Sequence, residues 1–255
     1  VVTGRVVDSA LVLGPLVKEF GWNAGDLDQL AGGTLAGHLI ECGAQVTGGT
    51  FTDWREVRGW ADIGAPIAEC FRDGSCIITK PEGSGGLVSF GTVAEQLLYE
   101  TGDPAAYIVP DVTCDFSTVT ITDVGQDRVL VANATGLAPP ECLKACATWD
   151  DGWRAIAYQP VIGPYAAEKA RKQADALFER GRLMLRNRNL ADWRRTECVL
   201  IGDGEEVVAK LVVEHDEMLA CQMFAREQFA AISSMAPGTS VAFGVQVQPC
   251  MNLIS

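Results

Sequence analysis

The sequence contains few positive charges. Of its 255 residues, 20 are Lys or Arg and 33 are Asp or Glu, so the net charge is −13 at pH 7. Nucleic acids and anionic membranes are bound through basic surfaces, because their phosphates must be neutralised. We therefore expect neither nucleic acid nor a membrane among the partners of this chain.

Long hydrophobic runs are also missing. No stretch approaches the roughly 18 consecutive apolar residues that a membrane-spanning helix needs. No signal peptide is expected, and the nine cysteines are an odd number without the dense spacing of small secreted domains. These absences together predict a cytoplasmic protein with reduced thiols.

The apolar pattern predicts an α/β protein with two domains. Residues 1–138 are expected to form a mixed sheet with helices, and residues 139–255 a smaller α+β domain. The second domain has the order β-α-β-β-α-β, which is typical of a ferredoxin-like split βαβ unit. In the first domain, Asp73-Gly74 between two apolar runs predicts a hairpin, and Gly32-Gly33 are expected to weaken or break a helix that begins near Asp26.

Two glycine clusters stand out as a candidate binding site, because glycine lets backbone N–H groups approach a ligand closely. The residues expected to bind substrate are Thr47, Gly48, Gly49, Gly83, Ser84, Gly85 and Gly86. Their N–H groups could stabilise an enolate-like oxygen, while Lys80 or Arg5 binds an acid or a phosphate. The spacing matches neither a phosphate-binding P-loop nor a dinucleotide fingerprint, and a tight surface turn explains the second cluster equally well.

The candidate catalytic residues are Glu41, Asp8 and His38. His38, Glu41 and Cys42 have the spacing that places side chains on one face of a helix. A carboxylate among apolar residues is costly to bury alone, so Glu41 is expected either to pair with Arg5 or Lys80 or to act as a base. This face could also bind zinc or iron, but the chain has only two histidines, so we expect no metal.

Six long motifs carry a resemblance to a known family. They are VVTGRVVDSALVLGPLVKEFGW, AGHLIECGAQVTGG, GAPIAE, DGSCIITKPEGSGGLV, TVAEQLLYE and DPAAYIVPDV. With these motifs the sequence resembles the acyclic terpene utilisation family from Val1 to about Leu143, and more weakly to its end. The resemblance implies a bacterial or fungal cytosolic protein that takes part in the breakdown of branched isoprenoid acids as acyl-CoA thioesters. It also implies a substantial α/β portion ahead of the VVTGR strand, so a homo-oligomer or a partner chain is expected to supply that portion.

These observations predict an enzyme of branched or isoprenoid carboxylic acid or acyl-CoA metabolism. Lyase, hydratase or isomerase chemistry is expected, in which Glu41 or Asp8 moves a proton. The alternative is a non-catalytic subunit or interaction module whose glycine loops line an interface. The residues do not identify a cofactor.

Overall fold

A computed structural model of the chain describes residue 4, residues 6–143 and residues 145–254. These residues form an α/β protein with five α-helices and three antiparallel sheets. The chain divides into two compact units, Val1–Leu143 and Lys144–Ser255. The boundary predicted after residue 138 lies a few residues before this division. No helix in the described ranges is both long enough and apolar enough to cross a membrane.

The first unit combines three helices with seven short strands in its described residues. The helices are α1 (Ala10–Phe20), α2 (Leu27–Glu41) and α3 (Phe90–Leu98). The strands are β1 (Ile67–Cys70), β2 (Cys76–Thr79), β3 (Tyr107–Ile108), β4 (Thr113–Asp115), β5 (Thr120–Gly125), β6 (Arg128–Ala132) and β7 (Thr135–Leu137).

The strands of the first unit form two antiparallel sheets, with orders β1-β2-β6-β5 and β3-β4-β7. The predicted single mixed sheet is therefore wrong. Two pairs of neighbouring strands in the first sheet are joined by tight turns, Phe71–Ser75 between β1 and β2 and Gln126-Asp127 between β5 and β6. Connections this short can join only antiparallel strands. The hairpin predicted at Asp73-Gly74 is confirmed.

Helix α2 is the central element of the first unit, with every residue from Leu30 to Leu39 buried. It runs through Gly32 and Gly33 without a break, contrary to the prediction. A side chain on Gly32 would collide with the carbonyl oxygen of Gly74 in the β1–β2 hairpin, and one on Gly33 would lie 2.9 Å from Leu13 of α1. The two glycines therefore allow close packing that offsets their poor helix propensity of about 1 kcal/mol each.

The second unit has the element order β-α-β-β-α-β. Its elements are β8 (Ala147–Ile162), α4 (Ala166–Arg186), β9 (Arg195–Ile201), β10 (Glu206–His215), α5 (Met218–Ser234) and β11 (Phe243–Ile254). They build one antiparallel sheet of order β11-β8-β10-β9. Alternate strand residues such as Ala155 and Leu211 share one buried core with Leu177 of α4 and Phe224 of α5. Both helices therefore cover the same face of the sheet.

Candidate functional site

The first unit contains an open cleft of about 530 Å³ between the start of α1, the end of α2 and the residues after α3. Its lining combines apolar and acidic side chains. The lining residues are Asp8, Leu11, Val12, Gly37, Ile40, Glu41, Cys42, Tyr99 and Glu100. Two of the predicted catalytic residues, Asp8 and Glu41, thus face the same cleft.

The third predicted residue, His38, lies directly behind Glu41. Its Nδ1 is 3.1 Å from Glu41 Oε1, and its Nε2 is 3.2 Å from the carbonyl oxygen of Leu97 at the end of α3. A carbonyl oxygen can only accept, so Nε2 carries a proton. The contact between Nδ1 and Oε1 then requires one further proton shared by the two groups. It either makes His38 an imidazolium beside a carboxylate, or it makes Glu41 a neutral acid that donates to Nδ1.

The surroundings of His38 hold it in this orientation. Its ring is buried, with the Tyr107 ring 5.3 Å away between centroids. The side-chain Nε2 of Gln96 donates to the His38 carbonyl oxygen at 3.1 Å. Burial raises the pKa of Tyr107 to about 12, and the charge of Glu41 contributes to this shift. The Tyr107 phenol is therefore uncharged at neutral pH where it packs beside the imidazole of His38.

The position of Glu41 also affects its acidity. Partial burial raises the pKa of this carboxyl above its ordinary value of 4.5. The neighbouring His38 lowers the pKa and opposes this effect, whereas the negative charges of Asp8 and Glu100 add to it. A carboxyl with a raised pKa exchanges protons nearer to neutral pH, which suits general acid–base chemistry.

Asp8 reaches the cleft because α1 begins very close to α2. A Cβ atom on Gly37 would lie 2.6 Å from the Cα atom of Ser9, so this approach requires glycine. The Ser9 hydroxyl is buried and has no hydrogen-bond partner among the described residues. Sequence reasoning missed Tyr99 and Glu100, which follow α3. Glu100 adopts a φ of 56°, a left-handed conformation that no local sequence signal indicated.

The glycine clusters lie elsewhere in the unit, and none of their residues lines the Glu41 cleft in the part of the chain described here. They pack against each other instead. The Leu87 N–H donates to the Thr47 carbonyl oxygen at 2.8 Å, and a Cβ atom on Gly86 would lie 2.6 Å from that oxygen. The structure therefore separates the predicted site into two places.

Three backbone N–H groups of the second cluster already have acceptors within the protein. Those of Ser84, Gly85 and Gly86 donate to the carbonyl oxygens of Pro81, Asp62 and Arg58 at 3.2, 2.7 and 2.7 Å. In the first cluster, the N–H groups of Gly48 and Gly49 donate to Gln45 and Ala44, and the Thr47 hydroxyl donates to the Gly64 carbonyl. The hydrogen bonds hold the loops together, and only Gly83 is left with open space around it.

Lys80 is bound within the same loop. Its Nζ lies 3.2 Å from Asp127 Oδ2 and donates to the Ser84 carbonyl oxygen at 2.8 Å, and its side chain is 6% exposed. The predicted pair between Glu41 and Lys80 therefore does not form, because Asp127 takes that role. The other predicted partner, Arg5, lies outside the described residues.

The spacing of His38, Glu41 and Cys42 in the sequence was compatible with a zinc or iron site. Within the described residues, no group of three or more His, Cys, Asp and Glu side chains lies close enough together to hold a metal ion.

A family model described as acyclic terpene utilisation family protein AtuA matches residues 1–254. The chain belongs to this family. The match confirms the resemblance that the motifs indicated, and it covers both units. Membership in the AtuA family implies a role in acyclic terpene utilisation. Comparisons with curated proteins and with solved structures gave no match.

Proposed function

We propose that this chain is an enzyme that moves a proton next to the carbonyl group of a branched or isoprenoid acyl-CoA thioester. The reaction belongs to the lyase, hydratase or isomerase type. The proposal rests on one observation, the contact of 3.1 Å between Glu41 Oε1 and His38 Nδ1 at the wall of an open cleft. The family's link to acyclic terpene utilisation suggests the branched acyl chain.

The shared proton gives Glu41 both of the roles that a reversible proton transfer needs. When the proton is on His38, the second carboxylate oxygen of Glu41 can accept a proton from the carbon next to the thioester carbonyl. When the proton is on Glu41, the same carboxyl can return one. Leu97 fixes the ring tautomer through its carbonyl oxygen, so His38 acts through Glu41 and is a positioning residue.

The lining of the cleft favours a thioester over the free acid. Asp8 and Glu100 add two carboxyl groups to that of Glu41, and the described lining residues include no Lys or Arg. A free carboxylate inside the cleft would be repelled by these groups, whereas the carbonyl of a thioester is neutral, so only the acyl end of the thioester enters the cleft and the CoA phosphates stay outside it. The apolar side chains of Leu11, Val12 and Ile40 form a surface suited to a branched alkyl chain.

We further propose that the second unit is a ferredoxin-like domain. Its element order and its sheet order β11-β8-β10-β9 support this assignment. Strand β10 lies between β8 and β9, the two strands that α4 connects, as a split βαβ unit requires.

The test is exchange of the α-protons of 3-methylbutanoyl-CoA in D₂O, followed by NMR, with free 3-methylbutanoate as a second probe. We expect exchange of the thioester and little of the acid. Glu41→Gln should slow exchange about 10²–10⁴-fold, the usual contribution of a general base. Glu82→Gln, which changes a carboxylate of the glycine loop, is the matched control and should leave the rate unchanged. Undiminished exchange in Glu41→Gln would remove Glu41 from the mechanism.

A second candidate function is that of an interaction subunit. It is favoured by apolar side chains exposed beside the cleft, since Leu11 is 72% exposed and Leu98 is 58% exposed. Such side chains commonly contact another chain, either a second copy or a different partner. Light scattering of the purified chain measures its mass in solution. A stable monomer that exchanges the thioester α-protons would contradict this candidate.

A further inference from the structure

Two free cysteines, Cys70 and Cys76, lie directly opposite each other in the β1–β2 hairpin. The N–H of Phe71 donates to the carbonyl oxygen of Ser75 at 2.9 Å, while the Ser75 N–H donates to Asp73 Oδ1, so Phe71 and Ser75 occupy a hydrogen-bonded position of the ladder through a single backbone bond. In an antiparallel ladder the next pair is then a non-hydrogen-bonded one, whose Cα atoms lie about 4.5 Å apart. This spacing falls within the range of about 4.4–6.8 Å that disulfide bonds span.

The hairpin holds these two side chains on the same face. Cys76 is 2% exposed and belongs to the core of the first unit, while Cys70 packs against that core and is half-buried. The turn between them contains Gly74 at a φ of 89°, and it packs tightly against α2 at Gly32. The two thiols therefore stay opposed without any movement of the backbone.

We propose that Cys70 and Cys76 form a redox modification site that closes to an intramolecular disulfide when a peroxide is present. The more accessible thiol, that of Cys70, reacts first. It gains one oxygen from hydrogen peroxide and becomes a sulfenic acid, releasing one water. The sulfur of Cys76 then attacks the sulfur of Cys70, the S–O bond breaks, and a second water leaves. In total the two thiols lose two protons and two electrons to one peroxide.

The environment makes this reaction slow at neutral pH. Burial raises the pKa of both thiols above the ordinary value of 9.0, and the thiolate is the reactive form. The rate of closure should therefore increase up to about tenfold for each pH unit between pH 7 and pH 9. Reduction by a dithiol should reopen the bond.

Cys114 provides a matched control in the same core. It is fully buried in β4, where it lies opposite Tyr107 and Gly136 and so faces no thiol across either ladder. A disulfide that forms through general exposure or unfolding would involve Cys114 or the exposed Cys142 and Cys146 as readily as the proposed pair.

The test treats the full-length chain with hydrogen peroxide, blocks remaining thiols and digests the protein with trypsin and Glu-C. Cleavage after Glu69, Arg72 and Glu82 places the two cysteines in separate peptides, 70–72 and 73–82. We expect these peptides to be joined with the loss of two hydrogens and to separate after dithiothreitol. Cys114→Ser should retain the crosslink, whereas Cys70→Ser should lose it.

Two results would overturn the proposal. One is a blocked, uncrosslinked Cys76 after prolonged treatment at pH 9, where closure should be fastest, once the exposed cysteines are fully oxidised. The other is a crosslink from Cys76 to any cysteine other than Cys70. Because the substitution Cys70→Ser changes a half-buried side chain by one atom, circular dichroism of that variant should match the parent chain and exclude unfolding as the cause.

Discussion

Replacing Asp127 with Asn should destabilise the first unit, because it leaves the charge of Lys80 buried without its carboxylate. The substitution is well matched to the site. Asp127 adopts a φ of 51°, which Asn tolerates, and its Oδ1 accepts from the Val88 N–H at 2.9 Å, which the Asn amide oxygen can also do. The change therefore removes the charge and little else.

The magnitude follows from burial. Removing one partner of a fully buried ion pair costs about 3–5 kcal/mol. The Asp127 side chain is 22% exposed, so water can reach Lys80 more easily once the carboxylate is gone. We therefore expect a loss of about 2–3 kcal/mol, which lowers the Tm of the first unit by roughly 6–9 °C. Glu69→Gln removes the partner of Arg128 in a pair exposed by 42% and 39%, and should cost much less than Asp127→Asn because water screens this pair.

Scanning calorimetry of Asp127→Asn, Lys80→Met and the double variant measures the coupling. If the charges of Lys80 and Asp127 stabilise each other, the stability lost by the double variant should be smaller than the sum of the losses of the two single variants. A cost for Asp127→Asn no larger than that of Glu69→Gln, or strict additivity, would refute the reasoning. It would also restore Lys80 as a candidate for substrate binding, since its charge would then be free to bind another anion.

Two further predictions concern acidity and close packing. The raised pKa of Glu41 means that the folded chain binds this proton more tightly than the unfolded chain, so this group's contribution to stability falls as pH rises from 4.5 through the raised value. Urea unfolding should therefore show the wild type losing stability relative to Glu41→Gln over that window, and a pH-independent difference would contradict this. Gly85→Ala should cost about 2–3 kcal/mol, because its Cβ would collide with the Gly59 carbonyl oxygen. Gly25→Ala, with open space around it, is the control and should be nearly neutral by thermal unfolding.

Local sequence signals predicted the elements better than their arrangement. Asp73-Gly74 identified a hairpin because the turn chemistry is contained in those two residues. Gly32 gave a misleading signal. The low helix propensity of glycine is a local property that the sequence shows, whereas the close packing that glycine allows here depends on Gly74, more than 40 residues away. The glycine clusters misled for the same reason. Their N–H groups looked free in sequence, but Asp62 and Arg58 supply the acceptors for Gly85 and Gly86.

The acid–base pair illustrates the same limit at the candidate site. The spacing of His38 and Glu41 was sufficient to place them on one face of a helix, and the structure brings them into contact. That spacing could not determine where the proton lies, because the tautomer of His38 depends on the carbonyl oxygen of Leu97, 59 residues further along the chain. The packing of α3 against α2 thus favours one tautomer of a ring that α3 does not contain. Changes on α3 that never contact a substrate can therefore alter the tautomer of His38 and, through it, the hydrogen bond between His38 and Glu41.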